Sequence, residues 1–163
     1  MIAKLVVEGK EFDIEILDPK LQELITPKKK TGYERIDEGM YYYAVNSQNN
    51  LSFYKECYDN ADNSLYDTAN YYESEFVAAQ NARADQLMRQ LRRFAVEHRE
   101  NSKATERYYI YYIRGDPGLL QLRRDSGNYF IGPWFDSMNA GARAIETFKD
   151  ELIWYFTEYK DSL

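Results

Sequence analysis

Few residues in this chain are suited to covalent chemistry. One histidine, His98, and one cysteine, Cys57, occur among its 163 residues. A multi-histidine metal site therefore cannot form within one chain, and His98, near the end of an arginine-rich segment, reads as a cation suited to a helix C-terminus. Cys57 stands beside Glu56 and Asp59, whose charges oppose the thiolate that a nucleophile requires. The densest titratable run is acidic: Glu56, Asp59, Asp62, Asp67, Glu73 and Glu75 follow Lys55. They lack the alternating spacing and central glycine of a calcium loop, and the glycines match neither a P-loop nor a dinucleotide fingerprint. No catalytic residue, metal ligand or cofactor is expected. The acidic run reads as a solvated loop or as a surface that enters a basic cleft on a partner, imitating a phosphate backbone.

A basic segment opposes it. From Arg83 to Arg99 there are five arginines against Asp85 and Glu97. Arg89, Arg92, Arg93 and Arg99 form an alternative site that would contact phosphates while tyrosines stack on bases. The net charge of −6 argues against sequence-independent nucleic-acid binding, which rests on neutralising phosphates. Aromatic residues make up 16% of the chain and 16 of them are tyrosines. Tyr54, Tyr58, Tyr66 and Trp134 are candidate anchors for a partner, because such rings supply rigid contact area at low entropic cost; core packing is the competing reading.

The elements that must position these residues follow from periodicity. Ile2 to Ile16 alternates around a Glu8-Gly9-Lys10 turn and predicts a β-hairpin; Asp18-Pro19 opens a short helix that ends before Pro27. Aromatic strands are expected at Tyr41 to Val45 and Tyr108 to Ile113, each returning as a hairpin through Leu51 to Tyr54 and Leu119 to Arg123. The segment from Asp59 to Asp67 is expected to be an exposed loop. Ser74 and Ser137 are predicted N-caps. The first helix carries an apolar stripe of Val77, Ala84, Leu87, Met88, Leu91, Phe94 and Ala95 and runs to about Arg99. The second, through Met138, Ala142, Ile145, Phe148 and Leu152, continues to Phe156. Ala69-Asn70-Tyr71-Tyr72 recurs as Gly127-Asn128-Tyr129-Phe130 after 58 residues, and Ala82-Arg83-Ala84 as Ala142-Arg143-Ala144 after 60, an internal repeat. The expected fold is α+β: an N-terminal hairpin and helix over 1–32, then two repeated antiparallel β-β-β-α units over 33–100 and 101–163. With 44% hydrophobic residues the chain can build a core without metal or disulfide. The lack of a leader or of an apolar run of about 18 residues predicts a cytoplasmic protein.

Val7-Glu8-Gly9-Lys10-Glu11-Phe12, then Lys29-Lys30-Thr31-Gly32-Tyr33-Glu34-Arg35-Ile36 and Tyr41-Tyr42-Tyr43, then the Asn-Tyr motif and a helix ending in Leu91-Arg92-Arg93-Phe94-Ala95, cover most of the chain. In these motifs it resembles a family of small accessory proteins encoded by phages and integrated elements of low-GC Gram-positive bacteria. The resemblance implies no reaction. It implies a binder of a host defence or DNA-processing machine, as anti-CRISPR and anti-restriction proteins are. Gly132-Pro133-Trp134 and the tyrosines around Tyr54 and Tyr58 depart from the group's pattern, which places specificity there. The expected function is stoichiometric inhibition of a bacterial protein or nucleoprotein machine through the acidic, tyrosine-rich surface. Two alternatives stand beside it: a nucleic-acid-binding regulator using the arginine helix, and a protein that sequesters a small ligand such as a nucleotide in a tyrosine-lined pocket.

Overall fold

The computed structural model describes residues 2–7, 10–18, 31–100, 106–113, 115, 119–125 and 133–159. The chain divides into two units, Met1–Thr31 and Gly32–Leu163. In the first, β1 (Ile2–Val7) pairs antiparallel with β2 (Lys10–Glu15) in the register that sets Leu5 against Phe12. Lys4 donates to Glu11 across the pair at 2.7 Å. The helix expected over 19–27 lies outside the described residues.

The second unit begins with an aromatic hairpin. Strands β3 (Tyr41–Val45) and β4 (Leu51–Lys55) pair with Tyr42 opposite Tyr54 and Tyr43 opposite Phe53. Asn46 makes the turn: its carboxamide oxygen accepts from the amides of Gln48 and Asn50, both at 3.0 Å, as short amide side chains do in tight turns. Alternation along β3 sends Tyr42 and Ala44 inward, where they are buried with Tyr71.

The expected loop at 59–67 is a helix, α1 (Asn60–Asp67). Asp59 accepts from the amides of Ala61 and Asp62, and the Asp62 carboxylate accepts in return from the Asp59 amide. This is a capping box with Asp in the place usually held by Glu or Gln. The acidic composition that suggested a loop is therefore in part the helix's own start signal.

Asn70 and its neighbours complete the sheet without forming a strand. Tyr72 makes a single antiparallel bridge to Tyr43, with both backbone bonds formed. Two residues earlier, the Asn70 side chain accepts from the Val45 amide and donates to the Val45 carbonyl, each at 2.8 Å. A side-chain amide thus stands in for a peptide and lengthens the ladder. Ser74 then caps α2 (Glu75–Glu97), which buries Ala78, Ala82, Ala84, Leu87, Leu91 and Phe94.

The later part has related elements. Strands β5 (Arg107–Tyr112) and β6 (Leu120–Asp125) form a hairpin, Phe135 bridges Tyr108, and Ser137 caps α3 (Met138–Thr147). The expected strand at 127–131 lies outside the described residues, and so does most of the turn at 114–118. The expected single helix is broken at Phe148 into α3 and α4 (Lys149–Trp154), followed by a wide π turn over Tyr155–Tyr159. Its buried face is also shifted: Ala140, Gly141 and Ala144 are buried, while Met138 and Ala142 are exposed. One core joins the two parts, with Leu87, Leu91 and Phe94 of α2 packed with Phe135, Ala140, Ala144 and Leu152. The molecule is α+β in class. Among the described residues no helix is long and apolar enough to cross a membrane.

Candidate partner-binding site

Arg35 is the centre of a dense polar network among the described residues. It lies in the segment between Gly32 and β3, and its guanidinium meets the Glu56 carboxylate through Nε at 3.3 Å and Nη2 at 3.0 Å. Its Nη1 donates to Asn63 of α1 at 2.7 Å. Glu56 is completely buried. Besides the guanidinium, it accepts from the Tyr71 hydroxyl at 2.6 Å and the Tyr58 amide at 2.8 Å. Four donors thus occupy its two oxygens, the condition under which a buried carboxylate is tolerated. The guanidinium is held firmly protonated by its hydrogen bond and charge pairing with Glu56.

A second buried carboxylate sits beside the first. Asp62 of α1 accepts from the Tyr42 hydroxyl at 2.7 Å and from the Cys57 amide at 2.8 Å. These bonds, that from Tyr42 foremost, hold Asp62 below the usual carboxylate range. Burial, then the bond to the carboxylate, pushes the phenols of Tyr42 and Tyr71 well above the usual tyrosine value. The two rings stack with centroids 4.0 Å apart. The two phenols and the two carboxylates are thus locked in one arrangement, each hydroxyl donating to a carboxylate oxygen.

The network carries exposed rings. The Tyr58 centroid lies 4.7 Å from the Arg35 guanidinium carbon and the Tyr66 centroid 5.4 Å from it. Tyr66 also meets Tyr71 edge to face, and Tyr54 lies against Tyr42. All three outer rings remain exposed, at 43% for Tyr54, 47% for Tyr58 and 41% for Tyr66. Tyr58 has φ +55°, a left-handed conformation that costs a bulky residue of order 1 kcal/mol or more. Its amide bond to Glu56 and its hydroxyl bond to the Ile36 carbonyl at 3.2 Å hold it there.

The expected acidic surface is corrected in two of its residues. Glu56 and Asp62 are buried and fully used inside the fold, so neither can meet a partner. Asp59, Asp67 and Glu75 are exposed and Glu73 is half-buried. Asp59 also serves as the α1 cap. Asp67 lies in the last turn of α1, where a negative charge opposes the helix dipole. Among the described residues no group of three or more metal-ligating side chains converges.

The arginines of α2 and Arg99 just beyond it do not act as one stripe. Arg89 donates to Asn49 and Arg93 pairs with Glu97 at 3.6 Å. Arg92 and Arg99 line a different cleft, with Trp134. Trp134 is half-buried under the Arg107 guanidinium, 4.6 Å from its ring, and is not among the rings gathered around Arg35.

Arg35, Asn63, Tyr42 and Tyr71 are the positions that reading the sequence alone did not single out. One signal was available. Alternation along β4 places Ser52 and Tyr54 on the same face of the hairpin as Tyr42 and Ala44, and the next position of that series is Glu56. A carboxylate continuing that series requires a counter-charge, and the partly exposed Arg35 supplies it. No protein-family model matches this chain, and comparison with curated proteins and with solved structures finds no match.

Proposed function

We propose that the protein is a non-enzymatic binder, of the accessory type found in phages and integrated elements, that acts in the bacterial cytoplasm by occupying a protein or nucleoprotein machine. Its contact surface is formed by Tyr54, Tyr58 and Tyr66, with Asp59 and Asp67 beside them. One observation carries this reading: a guanidinium fixed by Glu56 and Asn63 holds two exposed tyrosine rings in place. Rings already ordered in the free protein lose little entropy on binding, which is the advantage of a preorganised contact surface. Two local costs fall on the same surface, the left-handed Tyr58 and the dipole-opposed Asp67. Local rules are most often broken where function requires it. The partner's complementary surface would be basic, with pockets for aromatic rings.

The finer architecture belongs to the same proposal. In both parts of Gly32–Leu163 a hairpin is followed by one bridging residue, Tyr72 or Phe135, and two residues later by a capping serine. This succession of hairpin, bridging residue and capped helix supports two copies of one unit, with the third strand of the first reduced to its bridge. Measured from the capping serines, the Ala-Arg-Ala triplets fall three residues out of phase, so the bridge and cap define the repeat better than the triplets do.

The test is capture of partners from a bacterial lysate by the wild-type protein and by a variant combining Tyr58→Gly, Tyr66→Ala and Asp67→Lys. A stoichiometric partner held by the wild type and lost by the folded variant supports the reading. Equal capture by both rejects this surface.

A further inference from the structure

We infer that the cleft between the C-terminal part of α2 and Trp134 is a binding site for a phosphate-bearing nucleobase compound, either a free nucleotide or one unit of a single strand. The cleft measures about 270 Å³ and its lining includes Arg92, Ala95, Val96, Arg99, Trp134 and Asp136. That is the small end of ligand sites and suits a single nucleotide unit. It uses none of the residues of the tyrosine surface.

Two features of the lining call for different parts of one ligand. Arg92 and Arg99 are exposed and enter no ion pair among the described residues, whereas Arg35, Arg83, Arg93 and Arg124 each meet a carboxylate. Guanidiniums left with unused donors suit phosphate, whose oxygens they bind in pairs. The cleft also carries apolar lining, the Trp134 indole with Ala95 and the exposed Val96. The indole is held in place by Arg107 on its ring. An inorganic anion would leave that apolar lining unused, and an apolar ligand would leave two charges unanswered. A base stacked on the indole with its phosphate toward the guanidiniums uses both. The α2 C-terminus contributes roughly half a negative charge nearby, which two full positive charges outweigh. Asp136 is the one acidic residue of the lining.

The experiment is equilibrium titration of the full chain with adenosine 5′-monophosphate, adenosine, inorganic phosphate and a ten-nucleotide single-stranded DNA, followed by tryptophan fluorescence and calorimetry. The monophosphate or the oligonucleotide is expected to bind more tightly than adenosine or phosphate. Binding of the monophosphate identifies a free nucleotide as the source, and binding of the oligonucleotide alone identifies a strand. The Arg92→Ala/Arg99→Ala variant and Trp134→Leu should each weaken binding about tenfold or more. Trp134→Tyr should largely restore it, and Arg93→Ala, outside the cleft, should leave it unchanged. Melting curves identify variants that remain folded. No binding of either nucleotide probe overturns the inference, as does inorganic phosphate binding as tightly as the monophosphate. Folded cleft variants that bind like wild type, or an equal loss with Arg93→Ala, overturn it as well.

Discussion

At the scale of single residues, a fully buried carboxylate, Glu56, holds the partly exposed Arg35 and the Tyr71 phenol together. Removing Glu56 leaves the Arg35 guanidinium without its counter-charge and the Tyr71 hydroxyl without its acceptor. The cost falls on buried donors left without an acceptor and on the cavity that replaces a fully buried side chain. Glu56→Ala should lower the melting temperature by roughly 10 °C, read by circular dichroism. The same groups set the pH limits of stability. Asp62 is held below its ordinary value, so its contribution is complete above the unfolded carboxylate range and is lost as pH falls through the depressed folded value. Tyr42 and Tyr71 are raised by burial and their carboxylate bonds. Tyr72 is pushed up to about 12, chiefly by burial. Their contribution is complete below the unfolded tyrosine value near 10 and falls as pH rises beyond it. Denaturant midpoints measured against pH should therefore be flat in the neutral range and drop on both sides. Asp62→Asn should flatten the acid limb, and a wild-type acid limb unaltered by that change would remove Asp62 from the account.

At the scale of elements, one turn and the helix caps are the points to test. Gly32 has φ +85°, and a Cβ there would come within 2.7 Å of Val77 on α2, a stiff β-branched side chain. Gly32→Ala should destabilise by roughly 1–3 kcal/mol. Adding Val77→Ala should relieve the clash but not the backbone strain, so a double variant as stable as Val77→Ala alone would contradict the assignment. Much of this level was legible in the sequence. The aromatic hairpin, the Ser74 and Ser137 caps and the long α2 follow from alternation, capping chemistry and a 3.6-residue stripe. What was not legible has physical causes. Segment 59–67 looks like a loop because its cap is made by acidic residues, and charge is usually read as solvent exposure. The break at Phe148 leaves no proline or glycine to announce it, and Ala140 and Ala144 are too small to mark the buried face of α3 against Met138. The buried role of Glu56 was legible only to a reader who carried the alternation of β4 one step past the strand's end.

At the scale of the whole molecule, the account divides structure from recognition. Three of the six carboxylates in the acidic run hold the fold, Glu56 and Asp62 from within and Asp59 as the α1 cap, and the outer tyrosines rest on what they build. This predicts that damage inside and outside the network will differ in kind. Arg35→Ala should lower stability and partner binding together, whereas Tyr66→Ala should weaken binding with little effect on melting. Asp67→Lys should retain or slightly raise stability, since a cation at the end of α1 suits the helix dipole. The most direct measurement of the central claim is partner capture from a bacterial lysate by the wild type beside the folded Tyr58→Gly/Tyr66→Ala/Asp67→Lys variant, with both eluates quantified by mass spectrometry. The account predicts a partner recovered in stoichiometric amount with the wild type and absent with the variant. The same partner recovered equally by both, or no partner recovered by the wild type, would contradict it.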